Sequence, residues 1–302
     1  MRRQYTFQYI LLTGLLAALS FGIIFSPVSK AATTDTASAE GITLSPVDKR
    51  YSVDAGLTKS DTITVLNDGQ VAYDFLVYGA PFWVKDAQYT PDFASERANA
   101  DAYKWVRFPQ SKWHIEPRQT INVPFTVTVP KDGAPGGHYG AIFAEVQPAD
   151  AGGGVARKKR VGSILYVNVN GKIQRAGETE SISIDWLQNH SPVRANVRVN
   201  NTGNTDFPAK QSLTVANVFG HIVYQASQEV SILPDSPRSI ILEWSKVPWL
   251  GFYKATVTST VLDKTTTKGS YVLVAPVWFL VLVIFVCGAG VVYAIRGRKP
   301  RR

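Results

Sequence analysis

Histidines are the side chains here best suited to acid–base or metal chemistry, and the chain has four: His114, His138, His190 and His221. None has the spacing of a zinc motif such as H-E-x-x-H, and no nucleophile elbow, phosphate loop or dinucleotide fingerprint occurs. We expect all four to be exposed loop histidines. The sequence therefore predicts no catalytic residue, no cofactor and no metal site. A protein that is not an enzyme is favoured over an enzyme whose site leaves no motif.

Positive charge is concentrated in one loop that could bind anions. Three glycines, Gly152 to Gly154, are followed by four consecutive cations, which are Arg157, Lys158, Lys159 and Arg160. Like charges at this density repel one another and stay solvated. One hypothesis is contact with an anionic wall polymer or with lipid headgroups. The alternative is an ordinary exposed loop between two strands.

Aromatic residues offer a second possible site. Phe82, Trp83, Trp105 and Trp113 could stack on a sugar, although aromatics in a sandwich without disulfides more often fill the core. Between them, 87–104 lacks strand periodicity and is long for a hairpin loop. Long loops on rigid scaffolds often carry binding functions. This segment is therefore where we expect a ligand of the first half of the chain.

Alternation of apolar and polar residues dominates the segments that must position these groups. The run from Ile121 to Val129 is one example, and Ile182 to Trp186 is another. Period-2 runs separated by Gly, Pro and Asn predict antiparallel strands. Both halves contain a strand that ends in an Asn-rich turn with glycine, at Asn67 and Asn201. We therefore predict an all-β fold of two tandem immunoglobulin-like β-sandwiches, at 41–177 and 178–269.

The two ends of the chain predict targeting segments. Residues 1–31 resemble a signal peptide, with an uncleaved anchor as the alternative, and 32–40 a disordered spacer. The uncharged run 271–295 is long enough to predict one transmembrane helix. The basic tail, 296–302, would then be cytoplasmic by the positive-inside rule, through Arg296, Arg298, Lys299, Arg301 and Arg302. The predicted location is the cell membrane, single-pass, with the large domain extracellular.

The net charge of +9 does not indicate nucleic-acid binding. Of that charge, three units come from Arg2, Arg3 and Lys30 and five from the tail, which leaves only +1 for the rest. The single cysteine, Cys287, can form no disulfide within the chain. Stability must therefore come mainly from burial of apolar side chains.

Several motifs resemble a known family. They are Ile42 to Val47, Asn67-Asp68-Gly69, Ile115 to Gln119, Val127 to Pro130, Gly137 to Ala141 and Gly162 to Val167. These stretches are similar to the first domain of WxL-interacting surface proteins. That resemblance implies a peptidoglycan-binding domain followed by a second, host-binding domain.

These observations together predict a membrane-anchored cell-surface protein for binding or scaffolding. Its expected partner is peptidoglycan or another surface protein. The alternative is a chaperone-like accessory subunit that completes a partner by adding a strand at an open sheet edge.

Overall fold

The computed structural model describes residues 41–147 and 159–297, with side chains up to Tyr293. The predicted signal peptide (1–31) and spacer (32–40) lie outside the described residues. What is described consists of strands, one short 3-10 turn and one terminal helix, which confirms the prediction of an all-β body.

The first sandwich is built from two facing sheets. Sheet A has the order β1-β3-β9-β7, and sheet B has the order β2-β11-β10-β4-β8. The strands are β1 Thr43–Ser45, β2 Asp48–Val53, β3 Thr58–Leu66, β4 Tyr73–Pro81, β5 Trp83–Val84, β6 Pro91–Asp92, β7 Val106–Arg107, β8 Lys112–Ile115, β9 Thr120–Thr128, β10 Gly136–Val146 and β11 Arg160–Val169. Strands β5 and β6 form a separate two-stranded sheet, C, and a 3-10 turn spans Ala102–Trp105.

The second sandwich repeats this plan. A three-stranded sheet, D, has the order β12-β14-β17, and a five-stranded sheet, E, has the order β13-β19-β18-β15-β16. The strands are β12 Gly177–Ile184, β13 Leu187–Gln188, β14 Val193–Asn201, β15 Phe207–Asn217, β16 Ile222–Ile232, β17 Arg238–Trp244, β18 Gly251–Val261 and β19 Lys264–Val274.

Each sandwich has its own core because the alternating apolar residues of facing sheets point inward. In the first, Ile63 and Phe125 of sheet A pack against the side of sheet B that carries Phe75 and Ile142. In the second, Val197 of sheet D belongs to the same buried cluster as Leu213 and Val257 of sheet E.

The two predicted Asn-rich turns are closed by the same pattern of side-chain hydrogen bonds. Asn67 and Asn201 are both fully buried. The side-chain amide of Asn67 donates to Val71 O and accepts from the N–H of Gly69, while Asn201 bonds Thr205 O and Gly203 N in the same way. The amide closes the turn from within, since it satisfies backbone groups that the strand end leaves unpaired.

The apolar run predicted as one helix over 271–295 is divided in the structure. Residues Tyr271–Val274 belong to β19 and pair with β18, and helix α1 spans Val277–Gly297. Across the described part of the chain, no helix combines the length and apolarity that crossing a membrane requires. The predicted transmembrane helix, and with it the single-pass membrane location, is therefore wrong. Of the predicted topology residues, Arg296 lies in α1, and Arg298, Lys299, Arg301 and Arg302 fall outside the described residues.

Candidate interaction surfaces

The predicted cationic loop is only partly within the described residues. Arg157 and Lys158 lie outside them, whereas Lys159 and Arg160 lead into β11. The Arg160 guanidinium lies over the Phe143 ring, 4.7 Å from its centroid, and donates to the hydroxyl of Tyr78 at 3.4 Å. Arg160 thus packs on sheet B. Contact of the loop with an anionic polymer stays a prediction.

His138 is the one histidine whose predicted exposure is wrong. It was expected in an exposed turn, but it is buried at 5 % exposure and packs beside the Trp105 ring. Nδ1 is 2.7 Å from Asp101 Oδ1, and Nε2 is 2.9 Å from Ala134 O. Burial alone would lower the pKa of His138, but the bonds to Asp101 and Ala134 outweigh it and raise the pKa. The other three histidines are exposed, as expected, but His114 lies in β8 and not in a loop.

The aromatic residues considered for sugar stacking are mostly interior. Phe82, Trp83 and Trp105 are each at most 7 % exposed, and Trp113 is partly buried. Phe82 and Trp83 form a third apolar cluster on the outer face of sheet B, together with Tyr139 and Phe143 of β10. These residues therefore follow the alternative prediction, in which they fill the interior of the protein, because ring faces buried in this way cannot stack on a ligand.

The segment 82–105, called the insertion below, links the two sandwiches by direct contacts. Tyr89 donates its hydroxyl proton to Ser236 O at 2.9 Å and accepts the N–H of Leu233 at 2.8 Å. The guanidinium of Arg238 lies 4.2 Å from the Tyr89 ring centroid. Burial raises the pKa of Tyr89 to about 12, so the hydroxyl keeps its proton near neutral pH. Part of the segment expected to bind a ligand thus contacts the second sandwich, and ligand binding by the rest of it stays a prediction.

An ionic contact reinforces this junction beside the insertion. Arg50 of β2 bonds Asp206 at 2.7 Å, and the Asp206 side chain is 4 % exposed. The same guanidinium donates to Ser231 Oγ at 2.8 Å and lies 3.8 Å from the Tyr166 ring centroid. The backbone N–H of Asp206 donates to the hydroxyl of buried Tyr139 at 3.0 Å. The buried carboxylate therefore depends on Arg50 for its countercharge.

The linker between the sandwiches is also fixed in place. Asn204 of the second sandwich donates through its side chain to Pro135 O and Lys172 O, and its Oδ1 accepts the N–H of Gln174. Gly136 has φ +133°, and a Cβ there would lie 2.5 Å from Asn204 O, so this close approach requires glycine. The two sandwiches are therefore joined by direct bonds on both sides of the linker.

The longest open sheet edge is β16. It has eleven residues, pairs with β15, and forms the outer strand of sheet E within the described residues. Ser231 O accepts Arg238 Nη1 at 2.8 Å, so its carbonyl points away from β15. Backbone groups alternate along an antiparallel strand, so Gln225, Ser227 and Glu229 also direct their N–H and C=O outward. Unpaired backbone groups of this kind are a template for another strand.

The neighbouring edges of the second sandwich are better protected. Strand β17 has edge carbonyls that side chains from β16 already occupy, through Tyr224 to Glu243 O and Gln228 to Ile241 O. Strand β19 carries Lys264 and Lys268 on its exposed half, and charged residues discourage pairing. By contrast, β16 contains no lysine, arginine, proline or glycine, and Glu229 is its single charged residue.

An apolar hairpin tip continues the open edge. The turn between β15 and β16 exposes Val218 and Phe219, and β16 begins with exposed Ile222 and Val223. Phe219 is 82 % exposed. Apolar side chains grouped at a surface mark sites of contact with other molecules. The edge of β16 and this tip together form the strongest candidate interaction surface, which periodicity alone did not reveal.

No candidate metal site is found among the described residues. Residues 41–147 and 159–297 contain no group of three histidine, cysteine or carboxylate side chains placed to hold a metal ion.

Comparisons with known proteins gave structural likenesses only. No family model matches the chain, and a search of curated proteins gives no significant match. Among solved structures, the class 5 fimbriae chaperone CfaA is 11 % identical with a TM-score of 0.39, covering 78 % of this chain and 100 % of that one. The CsuC–CsuE chaperone–tip adhesion subunit complex of Acinetobacter baumannii is 9 % identical with a TM-score of 0.38, covering 76 % and 98 %. The E. coli chaperone DraB is 14 % identical with a TM-score of 0.35, covering 77 % and 97 %. Because these TM-scores lie below 0.5, function has to be inferred from the geometry of this chain.

Proposed function

We propose that this chain is a binding protein, not an enzyme, and that it holds a partner protein by strand addition along β16. The observation that carries the proposal is the open edge of that strand. Its eleven residues pair on one side only and include no lysine, arginine or proline, and Glu229 is the single charged residue among them.

The energetics of such an edge favour an extended partner segment. Each backbone hydrogen bond gained contributes about 0.5–1.5 kcal/mol net, and Gln225, Ser227 and Glu229 offer several. The exposed apolar tip at Val218 and Phe219 adds burial of apolar surface. Backbone bonds supply affinity in this mode, and alternate side chains supply specificity.

The surroundings of β16 indicate the composition of the partner strand. On one face of the sheet, side chains of the partner strand would lie near Tyr224 and Val230 of β16, which pack against the core of the second sandwich. We therefore expect the partner segment to alternate, with apolar residues on this face and polar residues on the other. The rigid junction with the first sandwich would keep the edge in a fixed orientation.

We also propose three finer features that the sequence predicts. They are an immunoglobulin-like fold for both sandwiches, a relation to WxL-interacting proteins, and peptidoglycan as the alternative partner. A protein partner is favoured over peptidoglycan because the open edge presents backbone donors and acceptors, which an extended polypeptide matches.

The test uses proline on the outer side of the strand. Ser227→Pro removes an outward N–H and leaves the ladder with β15 intact, since proline is tolerated on edge strands. We expect at least a tenfold loss of partner capture from extracts of the source cells. The matched control Ser227→Thr keeps the N–H and should capture normally.

Hydrogen exchange gives an independent signature. In the captured complex, the outward amides of Gln225, Ser227 and Glu229 should become protected, whereas those of Ala226 and Gln228, already in the ladder, should change little. A complex that forms equally well with Ser227→Pro and leaves the outward amides unprotected contradicts strand addition at this edge.

A further inference from the structure

The open edge of β16 is limited at both of its ends. At the end nearest the first sandwich, the carbonyl of Ser231 accepts Arg238 Nη1 and its hydroxyl accepts Arg50 Nη2. At the other end, a register shift in the ladder with β15 leaves Val223 outside the regular pairing. A regular partner strand can therefore pair only with the part of β16 between these two residues.

The outward residues between those ends are arranged symmetrically. Gln225, Ser227 and Glu229 are exposed and direct their backbone N–H and C=O groups outward. Within the described ranges, no neighbouring strand pairs with these groups. Ser227 is the centre, with one outward residue two positions before it and one two positions after it. A second copy of the strand, running antiparallel, would present the same three residues in matching positions.

The side chains of β16 also complement their own reversed order. With Ser227 opposite Ser227 of a second copy, Tyr224 would face Val230, so the two apolar residues that pack at the core would meet. On the other face, Gln225 would face Glu229, the single charged residue of the strand. A register centred on Glu229 would instead oppose two carboxylates, which is destabilising.

We infer that the partner on β16 is a second copy of this chain, paired antiparallel about a two-fold axis at Ser227. The inference rests on the proposed strand addition and names its partner. Each of the three facing pairs exchanges two backbone hydrogen bonds, about six in all. Any other antiparallel register leaves at least one of the three outward residues without a facing partner among them. Hydrogen bonding and charge therefore favour the same register, and the interface would be isologous.

Three facing pairs form a short interface, so we expect a reversible dimer that a covalent crosslink can trap. Single cysteines in the full-length chain, with Cys287→Ser as background, test the register. The two Ser227 Cα atoms would lie about 5.5 Å apart, which is within the range of a disulfide. Ser227→Cys should therefore give a disulfide-linked dimer under mild oxidation.

The neighbouring outward residues supply matched controls. Gln225→Cys and Glu229→Cys, each oxidised alone, should crosslink at least about tenfold less, because identical residues would be about 13 Å apart along the strand. These two residues would face each other across the two-fold axis. Mixing the Gln225→Cys chain with the Glu229→Cys chain should therefore restore the crosslink that neither forms alone.

Sedimentation equilibrium of the full-length chain gives a second readout. Ser227→Pro removes the central outward N–H and should abolish the concentration-dependent dimer, whereas Ser227→Thr keeps the N–H and should retain it.

Two results would overturn the inference. One is equal crosslinking by the three cysteine variants when each is oxidised alone, or crosslinking by none of them. The other is a dimer that survives Ser227→Pro, since it would then form through another surface. If the chain is monomeric while Ser227→Pro still abolishes capture of a different protein, the inference fails and strand addition along β16 stands. If Ser227→Pro changes neither dimer formation nor capture, both proposals fail.

Discussion

The two sandwiches share one plan but treat their surfaces differently. The first covers the outer face of sheet B with its own insertion and, through Leu233, with part of the second sandwich. The second leaves β16 uncovered and places an apolar hairpin tip beside it. One copy of the fold therefore serves as a fixed base, and the other offers a free edge.

The difference arises from the connection between equivalent strands, which joins β4 to β8 in the first sandwich and β15 to β16 in the second. After β4, the first sandwich places aromatic residues that need cover, and the insertion supplies it through Tyr89 and Phe93. The corresponding position of the second sandwich has a short turn at Val218 to His221, and its apolar residues stay exposed. The long connection of the first sandwich fixes its junction with the second, whereas the short turn of the second sandwich leaves an apolar surface for contact.

The largest expected effect contrasts a buried phenylalanine with an exposed one. Phe125 is 1 % exposed in the first core, and Phe219 is 82 % exposed at the tip of the second sandwich. Phe125→Ala should lower the free energy of unfolding by about 3–5 kcal/mol through the cavity it leaves. Phe219→Ala should change it by less than about 0.5 kcal/mol. Urea denaturation measures both, and similar losses would show that the tip is part of a packed core.

A second contrast separates the junction from the open surface. Arg50→Ala removes the partner of buried Asp206, so we expect a loss of about 1.5–3 kcal/mol. Arg194→Ala removes a more exposed pair, with Glu243 at 2.8 Å, and should cost at most about 1 kcal/mol. Thermal unfolding of both variants tests this. Equal costs would mean that the junction contributes no more than a surface ion pair.

The smallest expected effect depends on pH and involves His138 beside the junction. Its folded-state pKa is raised above the unfolded value of about 6.5, so the protonated form stabilises the native state. This contribution is fully present below about pH 6.5 and is lost as the pH rises through the folded-state pKa. His138→Gln should reduce that decline, and the remainder would come from exposed His114, whose pKa is also raised by its bonds to Asp74 and Glu116. His221→Gln at the hairpin tip should preserve the full decline. Stability curves between about pH 5 and 9 measure the effect, and an unchanged decline in His138→Gln would contradict it.

Local patterns gave much of the fold. Alternation found the strands around Phe125 and Ile182, and the Asn turns at Asn67 and Asn201 showed the repeat, because both the period and the turn residues can be read from neighbouring positions. The division of the final apolar run was missed. Pairing of Tyr271–Val274 with β18 is a contact between separate strands, so hydrophobicity alone did not show it.

The candidate sites were less accessible to sequence reasoning for the same reason. Tyr89 and Asp206 act through partners more than sixty residues away, and composition does not identify such partners. The open edge of β16 depends on which strand lies next to it in sheet E. One signal was present, since Ile222–Ile232 lacks lysine and proline, the residues that commonly guard an edge strand.

The fixed linker has a consequence for preparing the molecule in parts. Proteases normally separate domains at exposed connections whose backbone is free to enter an active site. Here Thr202 N donates to Ala176 O and Asn204 N to Gln174 O, so the connection between Val169 and Gly177 is held in backbone bonds. Limited digestion is therefore not expected to release two intact halves at this point, and each half made alone would carry an exposed face that the other now covers.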